Sequence, residues 1–168
     1  FEHYGIFQFI SGKVWQPSNG LFGILPFIVS SLMVTFTAVI ISLPISTCCS
    51  LAMAEYLPRS IASKIRPLID LLAGIPSVIF GFFGMMVIVP YLRNVLGGSG
   101  YSLLGAAIIL GIMILPTLVN ISEDSLRAVP AEYREASLAL GATKWQTIKH
   151  IVLPNAKSGM WAAIVLGV

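Results

Sequence analysis

Charge is scarce in this chain: 168 residues carry ten Lys and Arg, seven Asp and Glu and two His, and no charged residue lies between Val14 and Ala54. A soluble domain of this size carries about a quarter charged residues. Here the fraction is 10%, against 57% hydrophobic residues and a mean hydropathy of +0.90, which excludes a water-soluble fold and makes the chain an integral membrane protein. The net charge of +3 does not point to nucleic acid, because the basic residues flank apolar runs instead of sharing a polar face with aromatics. Cysteine is nearly absent. Cys48 and Cys49 are adjacent inside an apolar run, where disulfide geometry fails and no third Cys offers metal-ligand spacing, so they are expected to be small packing residues. A phosphate-cradling Gly-x-x-x-x-Gly-Lys-Ser/Thr loop is missing too: Gly12-Lys13-Val14 has the wrong spacing and ends in valine. ATP binding and hydrolysis are therefore not expected of this chain.

What is present is a series of apolar runs. Residues 1–23 mix aromatic, Gly, Ser and polar residues and are too short and polar to span, so they are expected to form an ordered loop outside the membrane. From about Leu25 to Met53 the run is long enough to cross a ~30 Å hydrocarbon core, with Pro26 near its start and Pro44 within it. Glu55 to Pro67 reads as a short connection. Leu71 to Leu92 forms the second span, closed by Arg93, and the Gly97-Gly98-Ser99-Gly100 turn leads to a third span over Leu103 to Ile121. Ser158 opens a fourth. The first residue is Phe, and the apolar run from Ser158 to Val168 has no cap or flanking charge, so the sequence is expected to be a fragment.

Eight basic residues fall in the two loops on one side: Arg59, Lys64, Arg66, Arg127, Arg134, Lys144, Lys149 and Lys157. Lys13 and Arg93 fall on the other, and the positive-inside rule puts the eight in the cytoplasm. Within the second span, Gly74, Pro76 and Ser77 break the helix, and Ser77 with Gly81 makes a small-xxx-small pair. Irregular backbone at membrane depth is tolerated where it packs in protein or lines a wet cavity, so this segment faces either a neighbouring helix or a translocation path. Thr117, Asn120 and Ser122 offer neutral hydrogen bonds, either between helices or to a solute.

The one long polar insertion is Pro130 to Pro154. Pro130 suits a first helical turn, and Val129, Tyr133, Ala136 and Leu140 recur on one apolar stripe, turning Glu132, Arg134 and Glu135 largely away from it. Gly141 is placed for a sharp turn at positive φ. Thr143 and Gln146 form a capping box for a second helix with Trp145, Ile148 and Val152 on its apolar side, and Pro154 is expected to limit how far that helix runs. Such a helix-Gly-helix unit is either a docking element or an amphipathic hairpin lying on the membrane surface.

The spacing Glu135-Ala136-Ser137, three residues, Gly141, nine residues, then Ile151-Val152-Leu153-Pro154 resembles the EAA loop of bacterial ABC importer permeases, departing at Ser137 where alanine is usual. The resemblance implies that 130–154 is a cytoplasmic coupling loop, with Glu135, Ala136, Ser137, Gly141, Leu153 and Pro154 fitting a groove on a separate ATPase. Ala73-Gly74-Ile75-Pro76-Ser77 with Gly81-Phe82-Phe83-Gly84, the run Ile112-Met113-Ile114-Leu115-Pro116, and Ser122-Glu123-Asp124-Ser125-Leu126-Arg127-Ala128-Val129-Pro130 are similar to phosphate-importer permeases of the PstC type. This implies an all-α polytopic transmembrane helical bundle of the type I ABC importer permease fold. Residues 24–168 would then be its permease domain, covering about four of six spans. It also implies a bacterial or archaeal cytoplasmic membrane, a PstA-type second permease, an ATPase dimer carrying ATP and Mg, and a periplasmic phosphate-binding protein as partners, with membrane lipid around the spans and no nucleic acid. Gly74, Pro76, Ser77, Thr117 and Asn120 are the candidate path residues.

Two other function classes compete. An intramembrane serine protease would use Ser99 in Gly97-Gly98-Ser99-Gly100, but His3 precedes the spans and His150 lies on the opposite side, so no base is in reach. An ion-coupled secondary transporter expects carboxylates inside the spans. The expected span cores hold none, and Glu55 and Asp70 are read as interfacial, loop-anchoring groups.

Overall fold

The computed structural model describes residues 5–167. A short helix α1 (Ile6–Ser11) leads into a hairpin of β1 (Trp15–Gln16) and β2 (Leu21–Phe22), antiparallel with Trp15 opposite Phe22. Trp15 sets its ring edge-on to Phe22 and Phe27, tying this hairpin to the start of the first long helix. That helix, α2 (Leu25–Leu51), takes Pro26 in its first turn, where a missing N–H costs nothing, and runs on through a π-helical turn, Ala52–Tyr56. Together they give 32 residues of largely apolar helix, long enough to span.

The expected connection between the first two spans is instead a helix, α3 (Arg59–Ala73). It is amphipathic: Ala62 is buried, Ile65 and Ile69 are half-buried, and Lys64 and Leu68 are exposed. The second span therefore begins later than expected. Leu71, Leu72 and Ala73 complete α3, the chain breaks at Gly74-Ile75-Pro76, and Pro76 starts α4 (Ser77–Phe83). A π turn at Gly84–Ile88 joins α4 to α5 (Val89–Leu96), making 20 residues of span. Gly97, Gly98 and Gly100 all take positive φ in the turn that follows. The third span, α6 (Leu103–Arg127), starts at Ser102, whose Oγ accepts the Gly105 N–H at 3.1 Å. It runs six residues beyond the expected Ile121 and so carries Glu123, Asp124 and Arg127 within the helix, where the sequence reading placed no charge.

α2 packs lengthwise on α6 through small residues. Ala38, Ser42, Ser46 and Ser50 recur every four positions and are all buried. Ser42 Oγ donates to the Gly111 carbonyl at 2.9 Å, and a Cβ at Gly111 would sit 2.8 Å from that oxygen, so the helices meet backbone to side chain. In the second span the close approach is at Gly84, where an added Cβ would strike Ile109 of α6; among the described residues no neighbouring element comes within 4 Å of a Cβ added at Gly81, and Ser77 is exposed. The small pair read from the sequence does not pack here. Cys48 and Cys49 are also exposed on α2, not packed.

After Pro130 come α7 (Ala131–Ala139), the Gly141 turn, α8 (Lys144–Thr147), a π turn at Ile148–Val152 and α9 (Leu153–Gly167). Pro154 does not end the second helix. The widened turn just before it, in which Leu153 N–H reaches the Ile148 carbonyl, absorbs the proline, and the chain stays helical from Lys144 to Gly167. α9 packs on α6 through Ala163 against Ile114 and Leu118, and Ala156 joins Val152 of the preceding π turn in a cluster with Leu126 of α6 and Val129 just beyond it.

Candidate functional site

The helix-Gly-helix unit forms with the expected local signals. Pro130 caps α7, and Gly141 has φ +82° with no atom within 4 Å of an added Cβ, so backbone conformation and not crowding calls for glycine. Thr143 Oγ1 accepts from Gln146 N at 3.3 Å while Gln146 Oε1 accepts from Thr143 N at 2.8 Å, the reciprocal capping box.

The sequence reading defines the stripe but not its direction, which the structure supplies. Val129 is buried, but Tyr133, Ala136 and Leu140 face outward, Leu140 at 89% exposure. Arg134 and Ser137 turn inward instead. Ser137 Oγ and Thr147 Oγ1 lie 2.9 Å apart in a buried contact that closes α7 onto α8, a bond alanine at this position could not make. Arg134 reaches Glu55 Oε1 through Nε at 3.0 Å and Nη2 at 2.8 Å. The same guanidinium donates to the carbonyls of Leu126 at 2.7 Å and Val129 at the end of α6. Those carbonyls have no partner within the helix, and the helix dipole favours a cation there. On the second helix, Ile148 and Val152 are buried as expected while Trp145 is exposed, and Leu153 is half-buried beside exposed Pro154. Glu135, with Ala136, stays on the outer face.

A belt of ion pairs runs beside this unit. Arg66 of α3 donates to Asp124 Oδ1 at 2.8 Å, and Arg127 Nε to Glu123 Oε1 at 2.7 Å. Arg127 also donates to the Met53 carbonyl at 2.8 Å. The hydrogen bond to Asp124 first, then the charges of Asp124, Glu123 and Asp70, raise the Arg66 pKa against the opposing effect of burial, so it stays charged. Glu123 is 1% exposed, and its Oε2 has no hydrogen-bond partner, with Arg66 Nη1 at 3.9 Å. Neither Glu123 nor Arg134 was among the sequence candidates. The signal available for Glu123 was its i, i+4 pairing with Arg127.

Of the path candidates, the structure joins one to a partner: Asn120 Nδ2 donates to Asp70 Oδ1 at 2.7 Å, linking α6 to α3 one turn before Gly74. Thr117 is half-buried on α6, and Gly74, Pro76 and Ser77 are exposed at the break before α4.

Apolar helices long enough to cross a membrane, packed through small residues and carrying a polar helix-turn-helix on one end, define a polytopic membrane protein. Residues 46–168 match the family of binding-protein-dependent transport system inner membrane components, and the chain belongs to that family. It is 40% identical to a probable ABC transporter permease protein, YqgH, of Bacillus subtilis, over 95% of this chain and 53% of that protein. It is 30% identical to the phosphate transport system permease protein PstC 1 of Mycobacterium tuberculosis, over 94% of this chain and 53% of that one. The chain thus spans about half the length of the curated relatives it matches. A solved MetNI methionine ABC transporter, in inward-facing conformations, has a chain that superposes with a TM-score of 0.64 at 21% identity, covering 86% of this chain and 66% of its own, which shows the shared fold.

Proposed function

We propose that this chain is part of a permease subunit of an ATP-driven importer for inorganic phosphate, working beside a second, PstA-type permease, a cytoplasmic ATPase dimer and a periplasmic phosphate-binding protein. ATP and Mg belong to the ATPase; this chain supplies the path and the coupling loop. The observation that carries the coupling role is the outward apolar face of Tyr133, Ala136 and Leu140 on a hairpin whose inner face is held by Arg134 and Ser137. A rigidly backed, exposed apolar face flanked by Glu132 and Glu135 is suited to a protein groove. Glu135, Ala136, Gly141 and Pro154 are the residues at that contact, with Ser137 and Leu153 supporting it from behind. The basic residues around the unit favour its placement in the cytoplasm. A hairpin lying flat on lipid instead would bury Leu140 in the membrane and leave ATPase binding untouched by changes there.

Phosphate as the substrate is supported by the PstC relatives. A phosphate dianion needs donors, which Ser77, Thr117 and Asn120 supply only as neutral groups; at the helix break the Gly74 and Ile75 N–H groups are already bonded to α3 carbonyls, leaving the first turn of α4 as the backbone source. Charge must come from elsewhere in the assembly. Reconstituting the full-length protein with its partners and measuring ATP-driven uptake of labelled phosphate against sulfate, molybdate and amino acids tests this. Preference for phosphate is expected; preference for another solute would replace the substrate and leave an ABC permease, as the YqgH likeness also allows.

A further inference from the structure

The first span ends in the π turn Ala52–Tyr56, and two consecutive residues of that turn hold the two helices that follow Pro130. Glu55 grips α7 through Arg134, and the Tyr56 ring receives Lys144 Nζ of α8 at 4.9 Å from its centroid. The two grips differ in surroundings. Side-chain exposure is 22% for Arg134 and 9% for Glu55, whereas Tyr56 and Lys144 lie on the open surface. Water and salt weaken the second, and the first is shielded from both.

Arg134 does more than pair with Glu55. Its Nη2 also donates to Leu126 O at 2.7 Å, and its Nη1 to Val129 O and, at 3.5 Å, Pro130 O. One planar fork therefore fastens α7 at once to the end of the first span and to the end of the third. A lysine ammonium, a point charge on a flexible stem, cannot hold these divergent acceptors together. Beyond that fork, Arg127 links the Met53 carbonyl, in the same π turn, to Glu123 of α6.

We infer that Arg134 is the positioning residue through which a displacement of α7 reaches the membrane spans, with Glu55 as its counterpart. The inference rests on the coupling role proposed above. When an ATPase pulls on α7, the ends of α2 and α6 follow because separating them would break a shielded ion pair and strip two helix-end carbonyls of their donor. Without the fork, α7 keeps the Ala128-Val129-Pro130 link, the Val129 packing and its Ser137–Thr147 contact with α8, but loses its direct tie to the ends of α2 and α6, and less of its motion is passed on.

The full-length chain assembled with its partner permease, ATPase and periplasmic phosphate-binding protein in proteoliposomes allows ATP hydrolysed and solute imported to be measured in the same vesicles. In Arg134→Gln and Arg134→Lys the ATPase is expected to remain bound and active while solute imported per ATP falls by about tenfold or more, within the range of coupling between linked sites. Glu55→Gln keeps a neutral acceptor for the fork and is expected to fall by about threefold. A purely structural role would lower membrane abundance and both rates together, leaving the ratio unchanged. An unchanged ratio in both Arg134 variants, or loss of the ATPase from both, overturns the inference; Arg134→Lys decides it if Arg134→Gln does not accumulate. A wild-type assembly that binds no ATPase would instead overturn the permease reading itself.

Discussion

Gly141 and Ser137 show how little at the residue scale separates a fold requirement from a docking requirement. Gly141 is at φ +82° in open space, so Gly141→Ala costs about 1 kcal/mol of backbone strain and no clash. Gly141→Asp tolerates the same conformation but adds a charge to the face proposed to meet the ATPase. Membrane abundance is expected to be normal for both, uptake largely kept in the alanine variant and abolished in the aspartate one. Equal uptake by the two would remove Gly141 from the contact. Glu135→Lys, on the same outer face, is expected to weaken ATPase copurification without changing insertion, because like charges brought together at an interface cost several kcal/mol. Ser137 looked like a tolerated departure from the usual alanine. Its buried bond to Thr147 means that Ser137→Ala loses about 1 kcal/mol, read as a lower thermal midpoint of the purified protein.

At the scale of elements, proline placement explains features that hydropathy did not. Each of the three π turns, Ala52–Tyr56, Gly84–Ile88 and Ile148–Val152, ends two residues before a proline: Pro58, Pro90 and Pro154. At Pro90 and Pro154, where the helix continues, a proline cannot donate to the preceding turn and its ring crowds that turn's carbonyl, and a widened turn relieves both; before Pro58 the chain instead leaves the helix at extended Leu57. Pro44, Pro67 and Pro116 lie inside α2, α3 and α6 without a π turn, so proline alone does not dictate one. α3 escaped the sequence reading because its charges and Pro67 look like a connection, although Ala62, Ile65 and Ile69 mark a buried helical face. The α2–α6 seam was equally hidden: what serines every four residues do in α2 shows only when Gly111 is set against Ser42. Gly111→Leu is expected to force these helices apart and destabilise the bundle by about 1–3 kcal/mol, the usual cost of overpacking. A thermal midpoint equal to wild type would show that the seam can open.

For the whole molecule, α2 and the second span leave broad apolar faces uncovered, with Leu32, Phe36, Ile40, Val78 and Phe82 all exposed. In a membrane protein such faces meet lipid or another chain. The charged belt of Glu55, Arg66, Glu123, Asp124, Arg127 and Arg134 lies together where α2, α3, α6 and α7 converge. If this is the cytoplasmic end, a cysteine at Lys144 is labelled by an impermeant reagent from the inside of sealed membranes only; labelling from outside would invert the topology. The residues alone were enough to establish membrane residence, the approximate spans, the Gly141 turn and the capping box, because hydropathy, positive φ and local capping act over a few neighbouring positions. Which way the α7 stripe faces, that Arg134 and Glu123 are the buried anchors, and that α3 is a helix were decided only by tertiary structure. Those rest largely on partners far apart in sequence, 58 positions for Arg66 with Asp124 and 79 for Glu55 with Arg134, and beyond the i, i+4 pairing of Glu123 with Arg127 no local pattern records which partner will arrive.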